Sequence, residues 1–210
     1  SGLGSAIHDN LISSISKDKL IFIGRGDVRS TINNEKLYLK VDLSNLTGDI
    51  RQMDAENLEF EDDSMDAIVS WGVIHHSGNM VAILDEIYRV LRPGGRAFIM
   101  VYNQNSLRYN VYCRFWLGVM KLKLLSNTVE AVAGSVTDGY IARHLNKNEF
   151  EELGCKFSSI QITFSDEKTT ILKYLFGIGK VFRPFYIITR PFERWLAKRW
   201  GWYLEATLVK

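Results

Sequence analysis

The sequence has few cysteines and no long uninterrupted hydrophobic run. Cys113 and Cys155 are the 2 cysteines among 210 residues, too few for a disulfide framework or a cysteine-rich metal cluster, and this usage suits a reducing compartment. Apolar stretches near the C-terminus are interrupted by Lys180, Arg183 and Arg190, so we expect no membrane span. The first residues lack the basic-then-apolar layout of a signal peptide, and we therefore expect a cytoplasmic protein without a metal site.

The sequence also lacks an excess of charge of either sign. Its 26 Lys and Arg residues and 24 Asp and Glu residues leave a net charge of +2, which gives no general electrostatic case for nucleic acid as a partner. Hydrophobic residues make up 46% and charged residues 24%, as in an ordinary globular protein. We therefore expect residues 1–210 to form a single domain.

The stretch from Asp66 to Tyr102 predicts a strand–helix–strand unit. Asp66–Trp71 is a short apolar run that fits a strand buried on both faces. Apolar residues then recur at helical spacing, at Val81, Leu84, Ile87, Tyr88 and Leu91. Pro93-Gly94-Gly95 ends this helix and turns the chain into a second strand over Ala97–Tyr102. His75 and His76 then fall at the carboxyl end of the first strand, the edge where open α/β sheets bind ligands.

Further strands are predicted on both sides of this unit. Lys19–Ile23 and Leu37–Val41 precede it, and Ile50–Met53 forms a short third strand. Ser158–Phe164 and Gly201–Val209 alternate as a late pair of strands.

Two helical insertions are predicted around the late strands, at about 105–155 and 166–200. Asn105–Ser126 is apolar and aromatic with basic residues at intervals, and we expect it to be helical. Asn146 and Glu149 have the spacing of a capping box, and Gly154 would end that helix.

The motifs of the central stretch resemble one large family. EIYRVLRPGG, preceded by DAENLEFEDDSMDAIVSWGVIHH, is similar to the second half of class I S-adenosylmethionine (SAM)-dependent methyltransferases. The branch it resembles contains the ubiquinone and menaquinone C-methyltransferases. The resemblance implies a Rossmann-like α/β fold, with a seven-stranded mostly parallel sheet, an antiparallel last strand and helical insertions that form a cap.

The resemblance also implies a SAM site. Gly24 and Gly26 would form the turn that lets backbone amides approach the cofactor, and Asp42, at the end of the second strand, would bind the ribose hydroxyls. Asp54 and Ala55 end the third strand, where the family contacts the adenine amino group. Residues 70–72, with Ser70 and Gly72, would line the methionine end.

The turn after strand one departs from the family pattern. The pattern is roughly acidic-x-Gly-x-Gly-x-Gly, but Phe22 occupies the acidic position and Val28 the third glycine position. An acid there usually helps to hold the ammonium group of the cofactor. Either Asp27 or another carboxylate takes over this contact, or SAM binds weakly or not at all.

His75 and His76 are the candidate catalytic residues. An unperturbed imidazole titrates at about pH 6.5, which suits a general base for an acceptor that must lose a proton. The alternative is that one of them binds backbone groups of the loop and helps to start the following helix. Tyr102 and the polar residues after it lie at the same edge and could also contact the acceptor.

A basic and aromatic segment, residues 172–203, allows three interpretations. It could lie in a membrane interface as a peripheral contact, form a lid over an apolar acceptor, or pack as ordinary core. Arg143 and His144 could belong to a cap over the pocket.

The leading hypothesis from the sequence is a SAM-dependent methyltransferase for a small or lipid-like acceptor. The alternative is a non-catalytic methyltransferase-like domain that binds a partner or regulates an enzyme; Phe22 and Arg25 favour it. A nicotinamide-dependent oxidoreductase is disfavoured, because Arg29 stands at the third glycine position of the dinucleotide fingerprint.

Overall fold

A computed structural model of the chain describes residues 20–23, 53–137, 142–166 and 186–210. The predicted strands at 37–41 and 50–53 lie outside these ranges, except for Met53, and so do Gly24, Gly26, Asp27 and Asp42. The described strands are β1 (Leu20–Ile23), β2 (Met65–Trp71), β3 (Leu91–Asn103), β4 (His144–Leu145), β5 (Ser159–Ser165) and β6 (Tyr203–Val209).

These strands form one mixed sheet in the order β1-β2-β3-β6-β5, with the two-residue β4 also pairing with β3. β1, β2, β3 and β4 are parallel, and β6 runs antiparallel to both of its neighbours, β3 and β5. The predicted antiparallel strand at 201–209 is therefore confirmed, and it lies within the main sheet. The total of seven strands stays a prediction, because two of them fall outside the described residues.

β2 is buried because its central residues are apolar on both faces. Ala67, Ile68 and Val69 are buried, as expected of a parallel strand covered on both sides. In register with it, Ile68 pairs with Ala97 and Val69 with Phe98 of β3. This central pair of strands carries the loops of the candidate site at its carboxyl ends.

β3 begins earlier than predicted. The sequence predicted a turn at Pro93-Gly94-Gly95 before a strand at Ala97, whereas the strand runs from Leu91 and the turn lies within it as an irregularity. Met65 pairs with Leu91, but Ala67 pairs with Arg96, so an advance of two residues along β2 is matched by five along β3. Gly94 has φ +76°, which explains why a glycine is needed there.

Helix α1 (Met80–Val90) packs on the sheet largely through the predicted stripe, since Leu84 and Ile87 are buried and Tyr88 packs against the core. Val81, predicted to be in the apolar stripe, is exposed. The prediction was wrong at this position because the sequence of helix α1 is apolar on more than one side; the helix buries Met80, Ile83, Leu84, Ile87 and Val90.

The first insertion is only partly a regular helix. Residues Arg108–Met120 form a wide π-helix, followed by a turn of 3₁₀-helix at Lys123–Leu125 and by α2 (Val129–Gly134). α3 (Lys147–Leu153) has the predicted capping box between Asn146 and Glu149 and ends at Gly154. Of the second insertion, α4 (Tyr186–Trp200) is described. That these helices form a cap remains a prediction.

Candidate active site

The loop that follows β2 places both histidines at the carboxyl edge of the sheet. Gly72, with φ +73°, turns the chain out of the strand, and its N–H donates to the carbonyl of Met100 on β3. One turn of 3₁₀-helix, Ile74–His76, follows. Ile74 and His75 are fully buried, whereas His76 is half-buried. The two histidines therefore differ in access to solvent.

The His75–His76 loop is covered by the segment that leads into β4. The backbone N–H of Arg143 donates to the His75 carbonyl at 3.0 Å, and its guanidinium donates to the Gly78 carbonyl at 3.0 Å. Arg143 therefore contacts the histidine loop. That Arg143 and His144 belong to a cap over the pocket stays a prediction. Asn79, rather than a histidine, caps α1 by accepting from the N–H of Ala82.

Six side chains meet beside this loop, and we call them the aromatic cluster: His75, His76, Tyr102, Tyr109, His144 and Trp202. The ring of His75 lies 4.1 Å from that of His76 and 4.3 Å from that of Tyr102, measured between centroids. Tyr102 stacks on His144 at 5.4 Å and contacts Trp202 at 5.0 Å. The rings of Tyr109 and His144 are 4.6 Å apart. Apart from His76, these rings are buried, so the aromatic cluster is packed core behind the histidine loop.

Burial keeps His144 neutral. It lowers the pKa of His144 to about 4, although the nearby backbone of Ala142 and the charge of Glu130 act in the opposite direction. Burial, together with a hydrogen bond from its hydroxyl to Glu130 at 2.7 Å, raises the pKa of Tyr109 well above its usual range. Neither group exchanges a proton readily near pH 7, so His76 is the better-exposed candidate for acid–base work.

The polar residues after β3 are largely structural. The side chain of Asn103 is buried; its amide donates to the carbonyl of Gly201 at 2.8 Å, and its oxygen accepts from the N–H of Asn105 at 2.9 Å. Asn103 thus holds the end of β3 against Gly201, two residues before β6. Tyr102 keeps its ring in the aromatic cluster, so of this stretch it is the residue that reaches the site.

The third-strand residues Asp54 and Ala55 lie in a turn tied to the histidine loop. The exposed carboxylate of Asp54 accepts from the N–H of Glu56 at 2.9 Å. Glu56 in turn accepts from the hydroxyl of Ser77 at 2.6 Å. Ala55 packs against the core. The predicted adenine-side residues and the predicted catalytic loop are therefore neighbours at one edge of the sheet.

Ser70 is the polar residue of β2 at the same edge. Its side chain is fully buried, and its hydroxyl has no hydrogen-bond partner in the part of the chain that the structure describes. By strand register Ser70 pairs with Ile23, the last residue of β1, and Phe22 pairs with Val69. β1 therefore ends beside Ser70, and the glycine turn is predicted to begin at the next residue.

Sequence reasoning missed Tyr109 and Trp202 as members of this site. They come from the π-helix and from the residue before β6, and no local pattern indicates that they meet His144. Within the described ranges, no group of three or more His, Cys, Asp or Glu side chains is arranged to hold a metal ion. The same ranges contain no helix that is both long and apolar enough to cross a bilayer.

Comparisons with known proteins agree with this architecture. The family model described as "Methyltransferase domain" matches residues 29–99. The uncharacterized protein YafE of Escherichia coli strain K12 is 41% identical over 58 residues, which are 28% of this chain and 27% of that protein. The biotin biosynthesis bifunctional protein BioHC of Cellvibrio japonicus is 43% identical over 54 residues, 26% of this chain and 11% of that protein. The chain thus matches a minor part of the length of either relative.

Among solved structures, an S-adenosylmethionine dependent methyltransferase from Mesorhizobium loti superposes with a TM-score of 0.55. The superposition covers 99% of both chains at 14% sequence identity. At this identity the likeness concerns the fold. The chain therefore has the fold of the SAM-dependent methyltransferases, as its motifs predicted.

Proposed function

We propose that this chain is a SAM-dependent methyltransferase that acts on a small or lipid-like acceptor. The observation that carries the proposal is the convergence at one sheet edge of Ser70, the Asp54 turn and the histidine loop, on a methyltransferase fold. The hydrogen bond between Ser77 and Glu56 holds the last two together.

The described residues fit a SAM site at the methionine end. The buried hydroxyl of Ser70 lacks a partner among the described residues, and an unpaired buried hydroxyl is costly unless something binds it. Among the described residues, a Cβ built on Gly72 would lie 3.5 Å from the terminal carbon of Met100, which is ordinary van der Waals contact. Asp42 would bind the ribose hydroxyls, and Asp54 and Ala55 the adenine.

When bound, SAM would supply an electrophilic methyl group on its sulfonium. The chain itself must align the acceptor and exclude water. Of the aromatic cluster, His76 is the ring that could contact the acceptor, because the other five are buried. Because His76 is half-buried and His75 fully buried, we assign the proton-accepting role to His76 and a positioning role to His75. An acceptor without an acidic proton would need neither role.

Calorimetric titration of the chain with SAM measures the affinity and so tests whether SAM is bound. Losing the charge-assisted hydrogen bonds of Asp42 costs about 1.5–3 kcal/mol, so Asp42→Asn should weaken binding roughly ten- to a hundredfold. Asp85→Asn is the matched control, because Asp85 is an exposed aspartate whose partner is Lys156. Equal affinity of Asp42→Asn and the parent would refute the ribose assignment.

The departure at Phe22 gives a second test. Without the acid at strand one, we expect SAM affinity in the high-micromolar range or weaker, from loss of one charged contact. Phe22→Asp should then tighten binding roughly tenfold or more, whereas Phe22→Asn, which cannot carry the charge, should not. Low-micromolar binding by the parent chain would instead show that Asp27 or another group compensates.

The assignment of His76 is tested with labelled SAM and a mixture of lipid and small-molecule acceptors. His76→Asn should lower methyl transfer about a hundredfold while leaving SAM affinity unchanged. The remaining activity should lose the part of the pH dependence that comes from an imidazole base. If transfer by His76→Asn equals that of the parent, the acceptor reacts without this base.

A non-catalytic methyltransferase-like domain is the second candidate, and Phe22 is the specific observation in its favour. The two candidates differ in their response to Phe22→Asp. A catalytic protein gains affinity and turnover together. If the parent chain does not bind SAM and the Phe22→Asp variant does not bind it either, the second candidate is supported.

A further inference from the structure

The end of the π-helix and the turn after it expose many large apolar side chains. We call residues 114–125 the basic apolar tip. Leu125 is 82% exposed and Leu122 63%, and about half of the surface is exposed on Phe115, Trp116, Val119 and Met120. Scattered exposed apolar residues are ordinary on a protein surface, but a contiguous group marks an interaction site.

The tip has a defined conformation, fixed by hydrogen bonds of its own. The N–H of Leu122 donates to the Val119 carbonyl at 3.1 Å, and the N–H of Leu125 donates to the Leu122 carbonyl at 3.2 Å. Leu124 folds back so closely that a Cβ on Gly118 would lie 2.8 Å from it. The turn therefore directs Leu124 inward and leaves Leu122 and Leu125 outward.

Leu122 occupies an unfavourable backbone conformation. Its φ of 56° lies in the left-handed region, which disfavours a residue with a branched, bulky side chain by about 1–2 kcal/mol. Asn or Gly would fit this position at lower cost. A leucine therefore stands at a position where its backbone conformation is costly, and because the Leu122 side chain is exposed, it contributes little to the core.

The charged residues within the tip are all basic. Arg114, Lys121 and Lys123 are exposed and alternate with the apolar residues. The sequence has no Asp or Glu between Ile87 and Val129. Glu130, just beyond, interacts electrostatically with Arg114, so the positive charge of the tip rests mainly on Lys121 and Lys123. Leucine side chains beside lysines whose stems can reach outward are typical of a segment that lies at a membrane–water interface.

We propose that the basic apolar tip binds the surface of an anionic lipid bilayer. Leu122 and Leu125 would enter the interface, while Lys121, Lys123 and Arg114 would contact lipid phosphates. Lysine is depleted at protein–protein interfaces, which argues against a protein partner. Two copies meeting through this surface would bring like charges together. The tip lies outside the 172–203 segment in which the sequence suggested a membrane contact.

Vesicle co-sedimentation of the whole chain tests this without any cofactor. We expect binding to vesicles that contain phosphatidylglycerol, weak binding to pure phosphatidylcholine, and loss of binding as salt is raised. Lys121→Gln with Lys123→Gln should weaken binding about 25-fold, from about fivefold per charge. Leu122→Asn with Leu125→Asn should weaken it roughly tenfold or more, with unfolding stability retained because Asn suits the left-handed position.

The control changes an exposed apolar pair outside the tip. Phe192 and Trp195 on α4 are about as exposed as Phe115 and Trp116, and Phe192→Ser with Trp195→Ser should leave vesicle binding unchanged. Loss of binding in this control but not in the tip variants would overturn the proposal. So would equal binding to neutral and anionic vesicles, or concentration-dependent dimerisation in ultracentrifugation that the tip variants abolish and vesicles do not affect. Because no cofactor is used, failure here would leave the proposed methyl transfer standing.

Discussion

His144 is an imidazole held among aromatic rings, and this placement makes folding sensitive to acid. Burial depresses the pKa of His144 to about 4 in the folded chain, against about 6.5 when unfolded. The stability that this difference contributes is therefore complete above pH 6.5 and is lost as the pH falls toward 4. Its size is at most about 3 kcal/mol.

We expect His144→Phe to flatten this part of the pH dependence. The measurement is the free energy of unfolding at pH 7 and at pH 4 for the parent and the variant. Carboxylates titrate in both proteins, so the difference between the two curves isolates His144. Parallel curves would mean that His144 accepts a proton without cost in the folded state, contrary to its burial.

The sequence predicted the individual residues of the candidate site less completely than it predicted the strands and helices. The histidine loop and Ser70 could be placed because the ends of strands are visible in the sequence. The aromatic cluster could not, because Tyr102, His144 and Trp202 come from three segments that are far apart in the chain. Their meeting depends on β6 lying beside β3, which no local pattern indicates.

At the scale of the element, α3 illustrates how a short helix begins. Asn146 accepts from the N–H of Glu149 at 3.0 Å, and the Glu149 carboxylate accepts from the N–H of Asn146 at 2.9 Å. This reciprocal pair satisfies two backbone donors that the first turn would leave free. α3 also carries Phe150, which is fully buried in the core. Its capping therefore supports packing as well as local order.

We expect Asn146→Ala to lower the free energy of unfolding by about 1 kcal/mol, the usual cost of losing an N-cap. Asn148→Ala is the matched control, because Asn148 is exposed within the same helix and should change stability by less than about 0.5 kcal/mol. Denaturant titration of both variants is the measurement. Equal losses would show that the box does not stabilise α3.

Elements with a local signal were predicted well from the sequence. The type of element was predicted correctly for the helix with the capping box, for the strand at 66–71 and for the two alternating segments at 158–164 and 201–209. The buried face of α1 was partly wrong because Val81, Met80 and Ile83 are all apolar, and packing on the sheet decides which is buried. The π-helix follows from no sequence rule, since its wide turns depend on tertiary packing.

At the scale of the molecule, β6 joins the two sides of the sheet. All seven residues of β6 pair with β3 on one side, and the same seven pair with β5 on the other. In the described part of the chain, β5 pairs with no other strand. Leu204, Ala206 and Leu208 alternate toward the core with half-buried residues between them. β6 thus lies inside the sheet although it follows the other described strands in sequence, so the described sheet is complete only once residues 203–209 have joined it.

Because β6 lies between β3 and β5, a cavity beside it should destabilise the whole sheet, which should still unfold in one cooperative transition. Leu208 is fully buried, and Leu208→Ala should lower the free energy of unfolding by about 2–5 kcal/mol. Thr207→Ala, at the neighbouring half-buried position, should cost less. Circular dichroism and tryptophan fluorescence should give coincident transitions for both variants. If β5 amides exchange with solvent long before those of β2 and β3 in Leu208→Ala, then β5 and β6 form a separate unit rather than one cooperative sheet.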